Sequence, residues 1–449
     1  MRLTIASSTA VSVLLLTASA FSAPNTFTAS TNKHYWLKNG TPFITIGYNR
    51  YDVWNASDPA NDGLTPTQYV QRIAQNGGNL IRVWAEQGDQ NPSGDFYLEY
   101  PAGTYREAQA LRLDELFNAA DTYGVYVEIC PWDTFNVKNN FAAFAYNSSN
   151  GGPISTAAQM ISSAAARPYV KNKIQYMYNR WGSHSSFFLW TFNEIDILDS
   201  NNTDQITFAT DIGNFIHSID PYHPFTVSYT GTGAGYPPME QLSQIDAADV
   251  HFYGAISGTG AVAKENETAV TRDGGYMNFG KPLVLSEWGQ TRNANSDDLV
   301  NAVLWGGIGI GSSGTGLVWT DRYTYGSFSA SQLGIIKNLS NFTATVNWAG
   351  FMDNHHASAT EVTDSSHSLT SYACLNSTQV VALIVANRVG DSTATTLTIN
   401  GLTPGTYTVD YWRTYAGGKF STISAPTDGS GKLTLSTPAI PTVAVVYVH

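Results

Sequence analysis

The chain has 449 residues, a formal charge of −12 and only 13% charged residues, against 43% hydrophobic and 12% aromatic. So few basic groups exclude nucleic acid and anionic membrane surfaces as partners, because phosphate binding needs Lys and Arg, and the apolar share is too high for a disordered chain. Two cysteines cannot staple a fold of this size, and the length predicts two domains or one large barrel with an appendage.

Arg2, the apolar run Val11 to Leu16 and the small residues Ala18-Ser19-Ala20 have the pattern of a secretory signal peptide over residues 1–20. No later apolar run is long enough to span a bilayer. The expectation is an exported, extracellular protein without a membrane span. Asn-x-Ser/Thr triplets, as at Asn55 and Asn147, would matter only in a eukaryotic secretory pathway.

Tyr35 to Phe43 reads as a hairpin around Asn39-Gly40. From Phe43 on, short apolar runs alternate with amphipathic stretches. The strand candidates are Phe43–Tyr48, Leu80–Trp84, Val125–Cys130 and Phe187–Phe192, then Pro224–Tyr229, Asp249–Tyr253, Pro282–Glu287 and Gly316–Thr320. Helical patterns lie between them, such as Thr65–Gln75, Arg106–Tyr123, Pro168–Trp181, Asp204–Ile219 and Ser296–Trp305. Several strands are apolar on both faces, as a parallel sheet covered by helices requires. Eight units in series predict an α/β fold, a (β/α)₈ TIM barrel over residues 24–352. An open doubly wound sheet is the rival topology, but no Gly-x-Gly-x-x-Gly turn follows the first strand.

Asp353 to Ser358 reads as a linker, and only short strands follow: Val380–Ala386, Thr395–Ile399, Gly405–Trp412 and Val443–Val448. Turn signals separate them, so residues 358–449 are expected to form a small C-terminal antiparallel β-sandwich domain. Cys130 and Cys374 fall in different parts of this plan and read as two buried thiols.

Active sites of such barrels gather at the C-terminal ends of the strands. The fourth candidate strand ends Trp190-Thr191-Phe192-Asn193-Glu194, and the seventh ends Leu285-Ser286-Glu287-Trp288-Gly289. One glutamate alone reads as a helix cap or the partner of an arginine. Two, each ending a barrel strand, are the pair that glycosidic cleavage needs: one gives a proton, the other attacks or guides water.

With these motifs the chain resembles the clan A retaining glycoside hydrolases, most of all the family 5 cellulase and β-mannanase group, over roughly residues 30–350. The resemblance implies that Glu194 is the acid/base, Glu287 the nucleophile and Asn193 the partner of the sugar 2-hydroxyl. It implies that Arg82, in Asn79-Leu80-Ile81-Arg82-Val83-Trp84, holds the nucleophile. His251 and Tyr253 match the strand-six His-x-Tyr, and Trp319 the strand-eight tryptophan that floors the central sugar subsite. One departure stands out: many relatives carry His at the end of strand three, where this chain has Cys130, followed by Trp132 and Asp133. Asp133 either binds a sugar hydroxyl or begins a loop, and Trp132 is a candidate stacking face.

The residues support the same division of labour on physical grounds. Arg82 would keep Glu287 ionised, and Tyr253 would fix its rotamer. Glu194 must start protonated, so a dry setting or negative charge shared with Glu287 is expected. No histidine cluster has metal-ligand spacing, so neither metal nor cofactor is expected. The expected partner is a polysaccharide or oligosaccharide with mannan- or glucan-type β-links, acted on by a monomer. The rivals are a catalytically silent carbohydrate-binding protein on the same scaffold and a retaining hydrolase of α-linked furanosides.

Overall fold

Asn39 and Gly40 both take positive φ (50° and 78°), the turn that turns a chain back with the twist of its strands. Trp36–Lys38 therefore folds onto Thr41–Phe43, and Phe27–Ala29 adds a third strand. The apolar face of this small sheet carries Phe27, Trp36 and Phe43, which pack against Leu80, Leu189, Val284 and Leu317. These four lie in or just before the strands of the main sheet, so the hairpin plugs one end of it. The computed structural model describes residues 23–55, 63–87, 96–230, 236–254, 279–290, 296–320, 327–365, 369–386, 394–415, 417–439 and 443–449. The expected signal peptide lies outside the described residues.

The main sheet has eight strands: β1 Gly47–Arg50, β2 Leu80–Trp84, β3 Tyr126–Cys130, β4 Phe187–Phe192, β5 Phe225–Val227, β6 Ala248–Gly254, β7 Leu283–Gln290 and β8 Val318–Thr320. All neighbours are parallel, in the order β5-β4-β3-β2-β1-β8-β7-β6. The seam between β5 and β6 is bridged by Asp246 N–H to the Phe225 carbonyl (2.8 Å) and by Thr226 Oγ1 to the Ala247 carbonyl (2.9 Å). The result is a near-closed eight-stranded barrel, as the alternating pattern implies. Its helices start on cap residues: Thr65 and Ser329 each form a capping box with the glutamine three residues on, and Ser296 caps Asp297–Gly309.

The first strand departs from expectation. The apolar run Phe43–Tyr48 is split, because Thr41–Phe43 pairs back with Trp36–Lys38 and the barrel strand begins only at Gly47. Asp353 to Ser358 is not a free linker either. Asn354 is fully buried and donates to the Tyr35 hydroxyl (2.7 Å), while His355–His356 pairs with the end of Leu369–Leu375.

Beyond it lie two antiparallel sheets. Six strands, β9 His355–His356, β11 Leu369–Leu375, β12 Val380–Ala386, β14 Thr406–Arg413, β15 Gly418–Pro426 and β17 Val443–Val448, run in the order β9-β11-β12-β17-β14-β15. Three more, β10 Val362–Asp364, β13 Thr396–Ile399 and β16 Leu433–Ser436, face them. The larger sheet packs one face on this partner and the other on the barrel. Gly309, ending the helix after β7, comes so close that an added Cβ would lie 3.0 Å from Leu383 Cβ. Cys130 and Cys374 are both free and buried, in separate clusters.

Candidate active site

Side chains alternate along a strand, so every second residue of each barrel strand points inward. In this barrel many of those residues are polar. Arg82 on β2 is fully buried and makes four hydrogen bonds, using four of its five guanidinium N–H groups. Nε donates to Glu128 Oε1 (2.8 Å), Nη1 to Asn49 Oδ1 (3.1 Å) and Glu287 Oε1 (2.5 Å), and Nη2 to Asn193 Oδ1 (2.6 Å). Asn49 in turn donates to the carbonyls of Ser286 (2.5 Å) and Leu317 (3.0 Å), while Thr191 Oγ1 donates to Glu128 (2.8 Å). Arg82 is thus held by strands on both sides, and its orientation is determined before any substrate binds.

Glu287 ends this network. Its Oε1 accepts from Arg82 and its Oε2 from the Tyr253 hydroxyl (2.6 Å), so both oxygens are held. That grip fixes the rotamer and suits an ionised carboxylate. His251 sits beside Glu287 in the ladder register of β6 and β7. Its Nδ1 is 3.0 Å from Glu194 Oε1 and 3.5 Å from Glu287 Oε2. Burial pushes the imidazole down to about 4, against the pull of Glu287 and with the help of Arg82, so it is neutral near pH 7.

Glu194 follows β4 in a left-handed backbone conformation (φ 40°, ψ 61°), a strained setting for a residue with a Cβ. Its N–H donates to Ser228 Oγ on the next strand's end (3.0 Å), and the following N–H donates to the Ser228 carbonyl (3.1 Å). Burial raises its carboxyl to about 8; Asp196 adds to the rise and Arg82 opposes it. Of the two expected causes it is the dry setting that dominates, and the negative neighbour that adds to it is Asp196, two residues on. Asp196 is held in place by the Thr230 N–H (2.8 Å) and hydroxyl.

Arg82, Asn193, Glu194, His251, Tyr253 and Glu287 are thus joined in one network, at the end of the barrel where β2, β4, β6 and β7 finish. Trp319 lies at the same end, stacked on Tyr51 (5.3 Å, 15°) and packed with Trp84 and Cys130. These aromatic rings are almost covered, with Trp319 8% exposed. Trp132 departs from the expected stacking role. It is 2% exposed, with the Lys173 ammonium 4.9 Å from its ring and Phe192 beside it. Asp133 begins a helix: its carboxylate caps Thr134–Asn139 by accepting from Asn136 N–H (3.1 Å). Burial raises Asp133 to about 7. It faces Glu86, whose own charge is met by Lys173 (2.6 Å).

Several residues of the network went unread in the sequence: Asn49, Glu128, Thr134, Ser228 and Asp196. Glu128 had a usable signal, a charged residue in the middle of the apolar strand Tyr126–Cys130. Such a residue is rarely buried unless something pairs with it.

Glu194, His251 and Glu287 each bring a potential ligand atom within 4.8 Å of the others. A divalent cation fits this trio poorly. Arg82 already supplies positive charge at 2.5 Å, and both Glu287 oxygens accept hydrogen bonds. The donor set is a hydrogen-bond network around two carboxyl groups.

A near-closed parallel barrel with two glutamates facing each other at its mouth has the construction of a barrel glycosidase. The chain belongs to glycosyl hydrolase family 5: the family model described as Cellulase (glycosyl hydrolase family 5) matches residues 37–307. It is 24% identical over 350 residues to mannan endo-1,4-beta-mannosidase 3 of Solanum lycopersicum, covering 68% of this chain and 85% of that protein. Mannan endo-1,4-beta-mannosidase 1 of the same plant is 23% identical over 323 residues, 64% of this chain and 80% of the relative. Among solved structures, a putative glycoside hydrolase from Bacteroides vulgatus superposes with a TM-score of 0.65 at 12% identity, over 96% of this chain and 83% of the other. A family 5 mannosidase from Rhizomucor miehei gives 0.54 at 15% identity, over 70% of this chain and 97% of its own. At these identities the two structures establish the fold. The first likeness spans barrel and sandwich together.

Proposed function

We propose that the protein is a secreted, retaining glycoside hydrolase that cleaves β-linked polysaccharide of mannan or glucan type by double displacement. The observation that carries the reading is the unequal treatment of two close carboxyl groups. Oxygens of Glu194 and Glu287 approach within 4.8 Å, in keeping with the short separation of retaining enzymes, about 5–5.5 Å between carboxyl groups. Glu287 is gripped by a cation and a phenol, while Glu194 is dry and holds its proton to about 8. The names of the plant relatives favour mannan over glucan.

In this reading Glu287 attacks the anomeric carbon while Glu194 protonates the departing glycosidic oxygen. Glu194 leaves that step ionised, having given its proton away. It then takes a proton from the water that cleaves the glycosyl–enzyme bond. Asp196 and burial persist through both steps, so the same setting that makes Glu194 a proton carrier at neutral pH makes it a strong base for a carboxylate. A network with both glutamates and the arginine in place speaks for an enzyme rather than a silent binder.

Two measurements test the proposal. Proton NMR of the first-formed product should show the anomer of the substrate, and net inversion at early times would sink the double displacement. Reducing-sugar release across mannan, glucan, xylan and arabinan should be greatest on mannan or glucan. Cleavage confined to arabinan would instead support the α-furanoside reading.

A further inference from the structure

Asn193 has a side-chain amide whose two ends differ chemically, and the structure leaves only one orientation open. Arg82 Nη2 lies 2.6 Å from one end and Ser228 Oγ 3.4 Å from it. A guanidinium is donor only, so that end must be the carbonyl oxygen. The NH₂ group therefore points the other way, where Thr134 Oγ1 accepts from it at 3.2 Å. An NH₂ has two hydrogens. Among the described residues only Thr134 takes one, and the other is left for a ligand.

Thr134 suits this task. It is fully buried, and it is the first residue of the helix Thr134–Asn139, which Asp133 caps and which packs against the short helix following Glu194. Its hydroxyl is set by backbone geometry rather than by a long flexible side chain. Arg82 and Thr134 grip the amide at opposite ends, so its plane cannot turn without breaking one bond.

We propose that Thr134 is a positioning residue: it fixes the plane of the Asn193 amide so that the second Nδ2 hydrogen meets the sugar hydroxyl on the carbon beside the bond being broken. This rests on the reading of Glu194 and Glu287 as the cleaving pair. The amide adjoins Glu194 in the chain and shares Arg82 with Glu287, so a sugar attacked by Glu287 carries its neighbouring hydroxyl past Asn193. Charge that develops at the anomeric carbon makes that hydroxyl a better partner in the transition state than in the ground state.

The test compares nitrophenyl β-mannobioside with its counterpart lacking the 2-hydroxyl on the sugar that bears the nitrophenol. Thr134→Val keeps the shape and removes the hydroxyl. It should lower kcat/KM on the first compound by roughly fivefold to tenfold, mostly through kcat. On the 2-deoxy compound it should match the wild type, because the contact that Thr134 serves is missing there. Thr134→Ser should restore the rate, and Thr134→Ala repeats the test if the valine variant folds poorly. Equal losses on both compounds, no loss on either, or a serine variant no better than valine would each overturn the proposal. Failure of the wild type to release sugar from any polysaccharide would sink the underlying glycosidase reading instead.

Discussion

The barrel interior and the central strands of the six-stranded sheet are both buried, yet they are built from opposite materials. Inward-facing barrel positions include Asn49, Arg82, Glu128, Asp249 and Glu287, each 3% exposed or less. Barrel interiors are commonly filled with branched apolar residues; here one arginine is paired with two carboxyl groups, Glu128 and Glu287. Strand β12 of the sheet reads Val380-Val381-Ala382-Leu383-Ile384-Val385, with no polar group at all. Its alternate residues go to different cores: Val381, Leu383 and Val385 to the barrel helices, Val380, Ala382 and Ile384 to the sandwich. Burial alone therefore says little about a region's task. Buried ion pairs contribute little net stability because desolvation offsets their attraction, whereas buried aliphatic side chains contribute directly. The candidate site lies in the polar interior, and the apolar sheet packs behind the barrel helices.

The largest effects on turnover should come from the two glutamates. Glu287→Gly should lower turnover at least about a thousandfold, because no glycosyl–enzyme bond can form. Azide can occupy the vacated space, and the glycosyl azide formed should have the opposite anomeric configuration to the substrate. Glu194→Ala should lose roughly a hundredfold to ten-thousandfold on natural substrates, whose leaving groups need a proton, and less on activated aryl glycosides. Azide should here restore turnover with retained configuration, since it attacks the intermediate without needing a base. NMR of the azide products from both variants checks the assignment. The same anomer from both, or the two exchanged, overturns it.

The opposite side of the comparison is broken at Leu383 and Ile384. These neighbours face different cores, yet each sits among packed aliphatic and aromatic side chains. Either residue changed to Ala should cost about 2–5 kcal/mol, as truncations in well-packed cores do, while kcat of the folded fraction stays within about twofold. Denaturant unfolding beside single-temperature kinetics would show this. A large loss of kcat from Leu383→Ala without loss of stability would mean that the sheet acts on the site and does not merely brace it.

The contrast also governs what could be read before folding. Strands β2 and β4 carry the same bounds in sequence and structure, because Leu80–Trp84 and Phe187–Phe192 are apolar runs with clear ends. The first strand slipped because an apolar run does not reveal whether it pairs locally or across the barrel, and Phe43 chose Trp36. Glu194 and Glu287 were visible as carboxylates at the ends of candidate strands, and Arg82, in the middle of its strand, only through the family motif. Thr134 and Ser228 were not, since each matters only through Asn193 and Glu194, from strands that chain order keeps apart. Trp132 could be read in the sequence only as a candidate stacking face; that it is buried, with the ammonium of Lys173, 41 positions later, over its ring, shows only in the fold.

The smallest effect concerns one proton and ties the two regions of the comparison together. Glu194 binds its proton to about 8 in the folded chain, against an ordinary value of 4.5. Between these values the folded protein holds a proton that the unfolded chain has released. Its contribution to stability is whole below pH 4.5 and is lost as pH rises towards 8. Asp133 and Glu99, each raised to about 7 by burial, add slopes of the same sign. Glu194→Gln removes only its own share, because an amide does not titrate. The stability of this variant relative to wild type should therefore grow between pH 5 and pH 8, by roughly 3 kcal/mol. In the proposed reaction the same proton is the one given to the leaving group, so wild-type kcat/KM should hold to near pH 8 before it falls. A stability difference that stays flat from pH 5 to pH 8 would mean that Glu194 is ionised in the resting enzyme. The acid would then have to be sought elsewhere in the network.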